Sequence, residues 1–437
     1  MQQGKIFLVG FGPGAHEHMS LRALEAIEAA DTVIGYSTYI KLVQHLLDDK
    51  EIIRKGMTEE VDRCLEAWEH AKQGKTVALI SSGDAGIYGM AGPTYEVLFQ
   101  HGWTPEHAIK VEVVPGTTAL NAAAALVGAP LTHDFCAVSL SDLLTPWPKI
   151  YRRIEAAASS DFVIALYNPK SGRRTQQIVE AQKILLRHRD PQTPVAVVKS
   201  AYRKRQKVEM TTLKDMADCD IGMLTTVLIG NSSTIIKEGI MLTPRGYANK
   251  YEDLTGQARE GEKAGRSLSM GLDGWMQCVC DWMQQNPEAS LDGAAKHFDM
   301  PLGSILEAVS HNPHSEGFQS LAIQNFDNIL ESMIKWGEIR AVVRSETGAT
   351  TECFVYGRQL QQKHEWLNVS NDYFHLHIDC SKISVSYLCQ CDSRHYALHC
   401  IDQHGKLIAR FMMIKVDGIF YNFFLTAFLK AWEEQSQ

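Results

Sequence analysis

Apolar runs of strand length alternate with helical patterns along the first 245 residues. The helical patterns Glu59–Gln73 and Gln176–Arg187 fit between such runs, and Ile178, Ala181 and Leu185 share one face of the second. This alternation is typical of an α/β architecture with largely parallel sheets. The predicted strands are Ile6–Val9, Thr32–Gly35, Thr76–Ile80, Lys110–Val114, Phe135–Leu140, Phe162–Tyr167, Pro194–Val198 and Thr226–Ile229.

The pattern changes after residue 248. The stretch 249–273 is polar and glycine-containing, which predicts a linker. Residues 274–437 begin with a helical segment, Gly274–Gln285, and end with a second, Phe420–Glu434. Short alternating strands lie between them, so we expect a smaller α+β domain. Those strands are Ile339–Val343, Glu352–Tyr356, Tyr373–Ile378, Ile383–Leu388, Tyr396–Ile401 and Leu407–Ile414.

Composition narrows the class of protein. The chain has 437 residues, 45% of them hydrophobic and 22% charged, as in ordinary globular proteins. A formal net charge of −8 argues against a general nucleic-acid binder. The longest uncharged stretch, Val113 to Thr132, contains two prolines and two glycines, so it reads as strand, turn and helix rather than a membrane span. With no signal peptide visible, we expect a cytoplasmic protein.

The ten cysteines should be mostly reduced thiols in that compartment. Two close pairs, Cys278/Cys280 and Cys389/Cys391, raise the question of a metal or an iron–sulfur cluster. Their spacing differs from that of common zinc and ferredoxin sites, so buried structural thiols are favoured.

Small-residue loops follow three of the predicted strands. They are Gly10–Gly14, Ser81–Gly89 and Pro115–Ala119, and open α/β sheets bind ligands at this end of their strands. The first loop does not fit the GxGxxG dinucleotide fingerprint. Within the second, Asp84 would accept from a ligand amine or order the loop, and in the third Thr117 or Thr118 would cap an alanine-rich helix.

Basic residues cluster at Lys199–Lys207, Arg152/Arg153 and Arg173/Arg174. Each cluster is interpreted first as a solvated face. A ligand with several carboxylates would instead need such charges for recognition.

Six segments stand in the order found in precorrin-3B C-17-methyltransferases, and the chain resembles that family over about residues 4–250. The resemblance implies two α/β lobes, 1–120 and 121–248, that meet over a cleft. It implies S-adenosylmethionine as co-substrate, a homodimer, and precorrin-3B or its cobalt-bearing counterpart, cobalt-factor III, as the tetrapyrrole substrate. The segments are Gly10–Gly14, Ser82–Gly89, Val114–Ala119, Ser139–Trp147, Tyr167–Pro169 and Thr243–Tyr247.

The resemblance also implies roles for individual residues. Pro13 would lie beside the substrate. Methyl transfer from a sulfonium needs mainly positioning, whereas ring contraction needs an acid or base. Candidates for that proton transfer are Asp84, Asp142, Lys170 and Lys199. The residues expected to hold S-adenosylmethionine are Gly83, Asp84, Ile87, Thr118, Ala119, Tyr167, Asn168, Ala196, Thr225 and Thr226.

The C-terminal domain resembles the intracellular haem carriers of haem-utilisation operons, most clearly over Asn325–Ile339. His375 and His377 lie two apart on a predicted strand, so both rings should point to one face. By resemblance, His377 is the candidate iron ligand. Arg344 occupies the family's other haem-associated position and would pair with a propionate. The domain is therefore expected to bind haem or another acidic tetrapyrrole, or to use these histidines only structurally.

Two further functions stay open at this point. One is a tetrapyrrole carrier whose main activity lies in the C-terminal domain. The other is a sister methyltransferase that acts at a different ring carbon on the same fold.

Overall fold

The computed structural model describes residues 4–56, 58–247, 254, 257, 271–311, 318–323, 326–345, 348–370, 374–391, 395–415 and 418–436. The chain divides into two compact units, Met1–Ala264 and Gly265–Gln437. Most of the linker predicted at 249–273 lies outside the described residues. No helix within the described ranges is long and apolar enough to cross a membrane.

The first lobe of the first unit is built on a five-stranded sheet of order β3-β2-β4-β1-β5, in which every pair of neighbours is parallel. Fully buried side chains such as Ile6, Leu8 and Leu79 come from its central strands. The elements are β1 (Lys5–Gly10), α1 (Leu21–Glu28), β2 (Thr32–Tyr36), α2 (Ser37–Leu42), β3 (Glu51–Lys55), α3 (Glu60–Lys72), β4 (Thr76–Ser81), α4 (Ala91–Gln100) and β5 (Lys110–Val114).

The second lobe contains α5 (Ala119–Val127), β6 (Gly128–Ala129), β7 (Phe135–Ser139), α6 (Trp147–Ser159), β8 (Val163–Tyr167), α7 (Gln177–Leu185), β9 (Pro194–Lys199), β10 (Lys207–Thr212), β11 (Thr225–Ile229), β12 (Ile235–Lys237) and β13 (Ile240–Leu242). Its main sheet has the order β10-β9-β11-β8-β7, and β6, β12 and β13 form a small separate sheet. The lobe boundary predicted at 120/121 falls within the first turn of α5.

The main sheet of the second lobe is mostly antiparallel, which corrects the expectation of largely parallel sheets. Only β7 and β8 pair in parallel, whereas β8–β11, β11–β9 and β9–β10 are antiparallel. Residues 200–206 join β9 to β10, and a connection that short cannot make the crossover that a parallel pair requires. The basic cluster from Lys199 to Lys207 is therefore the two strand ends and the loop of a hairpin.

The second unit is an α+β domain, as predicted. Its six-stranded antiparallel sheet has the order β14-β20-β21-β22-β15-β16, and β17, β18 and β19 form a second sheet. The elements are α8 (Gly271–Gln285), α9 (Leu291–His297), α10 (Leu302–Ser310), β14 (Phe318–Ile323), α11 (Phe326–Met333), β15 (Glu338–Arg344), β16 (Thr350–Tyr356), β17 (Gln361–Lys363), β18 (Trp366–Ser370), β19 (His375–Asp379), β20 (Val385–Cys391), β21 (His395–Ile401), β22 (Leu407–Met413) and α12 (Asn422–Ser436).

Two apolar layers cover opposite faces of this six-stranded sheet. On β21, Leu398 and Cys400 pack in a core with Trp336 and Phe428, whereas Ile401 packs with residues of α8, α9 and α10. The alternation of side chains along a strand explains the division. Cys389 is fully buried in the second layer, as a structural thiol would be.

Candidate functional site

Loops from both lobes of the first unit surround one cleft, at the end of the sheets where the sequence placed its small-residue loops. Pro13, Gly83 and Ala119 line it from the first three loops, and Asn168 and Thr225 line it from the second lobe. The cleft encloses about 850 Å³ when the space open to solvent is included.

Backbone packs directly against backbone where the first three loops meet. A Cβ atom on Gly116 would lie 2.4 Å from the carbonyl oxygens of Gly10 and Gly83, and one on Gly12 would lie 2.3 Å from the Gly83 Cα. Gly83 itself has a φ of +78°, which favours glycine. The glycines therefore allow this close approach.

The Asp84 carboxylate orders two of these loops. Its Oδ1 accepts hydrogen bonds from the N–H groups of Gly86 (2.8 Å) and Ile87 (3.1 Å), and its Oδ2 accepts from the Gly116 N–H (2.9 Å). Three such bonds use most of its acceptor capacity. Of the two roles foreseen for Asp84, the structure shows the ordering of the loop.

The Tyr167 hydroxyl holds the start of α5. It accepts from the Leu120 N–H at 2.8 Å and lies 2.6 Å from Thr118 Oγ1. Thr118 is the N-cap residue, but its side chain makes no capping bond, so the tyrosine replaces the expected threonine cap. Burial raises the pKa of Tyr167, so the hydroxyl stays protonated at neutral pH.

Two side chains cross between the lobes at the cleft. Tyr88 reaches from the first lobe to donate to the Ala137 carbonyl (3.2 Å), and its ring lies 4.9 Å from that of Tyr167. Arg203 reaches the other way, where its Nε donates to the Pro13 carbonyl (2.9 Å) and its Nη2 donates to Ser82 Oγ. Together these hydrogen bonds fix the two lobes against each other at the cleft.

Arg174 joins two segments that the family resemblance singled out. Its Nη1 donates to the carbonyls of Leu140 (2.9 Å) and Asn168 (3.1 Å). Nearby, Asp142 accepts from Gln177 Nε2 at 2.8 Å and lies 3.9 Å from Arg174 Nε. At least one residue of the Arg173/Arg174 cluster therefore organises loops rather than only facing solvent.

The structure brings together most of the residues expected to bind the co-substrate. Two of the expected residues are outside the lining. The Asp84 carboxylate is turned towards the backbone N–H groups of the loops, and Ala196 is completely buried on β9. The members that line the cleft are Gly83, Ile87, Thr118, Ala119, Tyr167, Asn168, Thr225 and Thr226, and they are joined there by Pro13, which was expected beside the substrate.

The acid and base candidates occupy other positions. Asp84 and Asp142 make the hydrogen bonds described above, and Lys199 pairs with Asp220 at 2.9 Å. None of these three, nor Lys170, lines the cleft. The described lining contains no aspartate or glutamate, and its titratable side chains are Tyr39, Tyr88, Tyr167 and Arg203.

Tyr39, Ser82, Tyr88 and Arg203 are cleft residues that sequence reasoning missed as binding residues. Ser82 and Tyr88 lie within a segment that carries the family resemblance, but the resemblance implied no role for them. Arg203 lay in a cluster interpreted first as solvated. Tyr39 lies in α2, and it belongs to none of the motifs identified in the sequence.

In the second unit, His375 and His377 point to the same face of β19, as predicted. Their rings are parallel within 9°, with centroids 6.3 Å apart. His377 Nδ1 lies 2.6 Å from Asn368 Oδ1, an acceptor, so in the neutral ring the proton sits on Nδ1 and Nε2 keeps its lone pair. This tautomer suits a metal ligand. Arg344, by contrast, pairs with Asp292 at 2.8 Å.

A second pair of histidines lies on β21. His399 is fully buried, and neither of its ring nitrogens has a hydrogen-bond partner within the described part of the chain. Burial and the positive charge of Arg410 hold its pKa well below the usual value. The same effects lower the pKa of His395 to about 4. No described group of three or more His, Cys, Asp or Glu side chains is arranged to hold a metal ion.

Comparison with known proteins agrees with this architecture. Residues 5–217 match the family of tetrapyrrole (corrin/porphyrin) methylases, and residues 306–417 match the haemin-degrading HemS.ChuX domain. A cobalt-factor III methyltransferase of Priestia megaterium is 60% identical over 249 residues, which are 57% of this chain and 46% of that protein. The chain thus spans about half the length of that relative.

Two further similarities cover almost the full length of the matched protein. A probable cobalt-factor III C(17)-methyltransferase of Salmonella typhimurium is 49% identical over 55% of this chain and 98% of its own length. The crystal structure of the methyltransferase CobJ is 33% identical, covers 56% of this chain and all of its own, and has a TM-score of 0.51.

The first unit thus has the two-lobed fold, with a cleft between the lobes, that the sequence predicted. The chain belongs to the tetrapyrrole methylase family, and its C-terminal domain is of the HemS/ChuX type. Both resemblances drawn from the sequence are confirmed.

Proposed function

We propose that this protein transfers a methyl group from S-adenosylmethionine to C-17 of precorrin-3B or of cobalt-factor III, with ring contraction, in cobalamin biosynthesis. The observation that carries the proposal is the gathering of nine residues, expected from the family resemblance, in one cleft of the first unit. The name of the Salmonella typhimurium relative supports the same position on the ring, and the names of both relatives favour the cobalt-bearing substrate.

The chemistry fits a cleft without a nucleophilic side chain. The ring carbon attacks the methyl group as the bond from that group to sulfur breaks, and S-adenosylhomocysteine leaves with the electron pair. Such an in-line displacement is accelerated mainly by holding the two reactants in the reacting geometry. Ordered loops and lobes fixed against each other by Tyr88 and Arg203 would supply that positioning.

For the proton transfer in ring contraction we propose four candidate residues and not a single one. Asp84, Asp142, Lys170 and Lys199 stay candidates by prediction, and each would have to act from outside the cleft lining. Asp84 is the weakest of them, because its carboxylate is committed to three backbone N–H groups.

For the C-terminal domain we propose binding of haem or another tetrapyrrole, with His377 as the residue that would bind the haem iron. The hydrogen bond to Asn368, which leaves Nε2 free to bind iron, favours this second function. A bound haem would supply an iron that accepts this nitrogen. The ion pair with Asp292 makes Arg344 a poorer partner for a propionate than the sequence suggested.

Purified protein incubated with S-adenosylmethionine and either tetrapyrrole tests the main proposal by mass spectrometry. Gain of one methyl group on either substrate supports it and identifies the pathway branch. Binding of S-adenosylmethionine without product on either substrate would overturn it and favour the carrier function. We further propose a cytoplasmic homodimer, as the family resemblance implies, and light scattering of the purified chain tests the assembly.

A further inference from the structure

The guanidinium of Arg203 lies in the cleft because the β9–β10 loop has an unusual backbone. Ser200 and Tyr202 have φ values of 53° and 54°, in the left-handed region that non-glycine residues rarely adopt. The loop turns the Arg203 side chain towards the first lobe, where it bonds to the Pro13 carbonyl and Ser82 Oγ. Backbone strain of this kind is retained where the surrounding structure fixes it.

Both acceptors of Arg203 are uncharged. Its side chain forms no ion pair with a described carboxylate, and no described aspartate or glutamate lines the cleft. Burial lowers the pKa of Arg203, and Tyr39 is the group that acts on it electrostatically. A half-buried guanidinium without a counter-ion is costly for the free protein, because the charge has lost part of its hydration.

Several donors of this guanidinium remain available. Arginine carries five N–H donors, and the bonds to Pro13 and Ser82 use one on Nε and one on Nη2. Carboxylates are the usual partners of such a fork, because two parallel N–H···O bonds match their geometry. Corrin precursors carry acetate and propionate side chains around the ring.

We propose that Arg203 binds a carboxylate side chain of the tetrapyrrole and thereby fixes which ring carbon faces the methyl donor. The inference rests on the proposed function and adds a substrate-binding residue to it. The carboxylate of S-adenosylmethionine is the competing source of the same chemistry. Pro13, which Arg203 contacts, belongs by resemblance to the substrate side of the cleft, and this favours the tetrapyrrole.

Three variants test the proposal: Arg203→Gln, Arg203→Lys and the control Arg205→Gln, which makes the same change at an exposed position two residues away. We expect Arg203→Gln to raise the KM for the tetrapyrrole about tenfold or more, as loss of a charge-assisted bond would. Arg203→Lys should recover part of the loss, and the dissociation constant of S-adenosylhomocysteine should stay within about twofold of wild type.

Direct titration of the tetrapyrrole into each variant separates this inference from the proposed function, because it needs no turnover. If wild type binds the tetrapyrrole without methylating it, the proposed function fails, and weaker binding by Arg203→Gln alone still supports Arg203. Equal losses in Arg203→Gln and Arg205→Gln would overturn the inference. So would weaker binding of S-adenosylhomocysteine with unchanged tetrapyrrole affinity. Thermal unfolding of all three variants checks that each is folded.

Discussion

The phenolic oxygen of Tyr167 lies 2.6 Å from Thr118 Oγ1, where the last residue of β8 meets the N-cap of α5. The same oxygen accepts from the Leu120 N–H, so one hydroxyl satisfies a helix end and fixes a wall of the cleft. Both residues belong to the set expected to hold the co-substrate. Stability and binding are thus coupled at this contact.

Replacing Tyr167 with Phe should therefore reduce both properties. Loss of the capping hydroxyl should lower the free energy of unfolding by about 1–2 kcal/mol and weaken S-adenosylhomocysteine binding. Urea unfolding and calorimetric titration measure the two effects. Tyr151→Phe is the control, since that hydroxyl accepts an exposed hydrogen bond from Arg187 and does not line the cleft. Unchanged binding in Tyr167→Phe would contradict the assigned role.

Asp84→Asn should disorder the junction of the loops. An amide nitrogen in place of one oxygen would face a backbone N–H, and the lost bonds should cost about 1–3 kcal/mol of stability. S-adenosylhomocysteine affinity should fall with it. Asp190→Asn offers a matched comparison, because Asp190 accepts from Gln192 N in an exposed turn. Similar losses of stability and affinity in both variants would show that Asp84 has no particular role in ordering the loops of the cleft.

Glu112 should make stability depend on pH in the acid range. It accepts from Arg22 and from Lys5, and these bonds lower its pKa to about 2. A depressed folded-state pKa stabilises the fold above the unfolded value, near 4.5, and that stability is lost as the pH falls towards 2.

Glu112→Gln should accordingly lower the free energy of unfolding by about 1 kcal/mol at pH 7, after allowance for solvent screening at this partly exposed site. The difference from wild type should shrink between pH 4.5 and 2. A difference that stays constant over this range in urea unfolding would exclude the electrostatic explanation.

His399→Leu should stabilise the C-terminal domain. Two buried nitrogens without partners carry a desolvation cost, and an apolar side chain removes it. We expect a gain of about 1 kcal/mol or more in unfolding free energy. The control is His395→Leu on the same strand. A loss of stability in His399→Leu would show that the imidazole has a partner in solution, such as a buried water.

His377→Ala should abolish binding of the haem iron by a histidine of the C-terminal domain. Titration of haem into the full chain, followed by the shift of its Soret absorption band, measures this directly. His375→Ala is the matched variant, because its ring stacks on His377 without an equivalent bond to Asn368. Identical spectra for wild type and His377→Ala would remove His377 as the ligand.

The sequence predicted the strands of the first unit well where apolar runs are continuous. All eight predicted strands are present within about one residue at each end. Five were missed, and β3 (Glu51–Lys55) shows why: only its two isoleucines are apolar, because it lies at the sheet edge. The antiparallel pairing of β9 and β10 follows from the short loop, residues 200–206, that joins them. The sequence analysis did not predict β10, so it could not use the length of this loop to predict the direction of the strands.

The sequence analysis correctly predicted that the candidate residues next to the glycine loops lie together, because loops at one end of a sheet converge. Arg203 was missed as a binding residue for a different reason. Its cluster also contains Lys204 and Arg205, which are exposed, so composition alone cannot tell which charge turns inward. The buried His399 gave no signal either, since the sequence of an apolar strand does not show whether a histidine in it is fully buried.

The most direct test of the account follows a methyl group labelled with ¹³C from S-adenosylmethionine into the tetrapyrrole by NMR. We expect one new labelled methyl, at C-17 of a ring-contracted product, from precorrin-3B or cobalt-factor III. A label on any other ring carbon would contradict it and show a sister methyltransferase on the same fold.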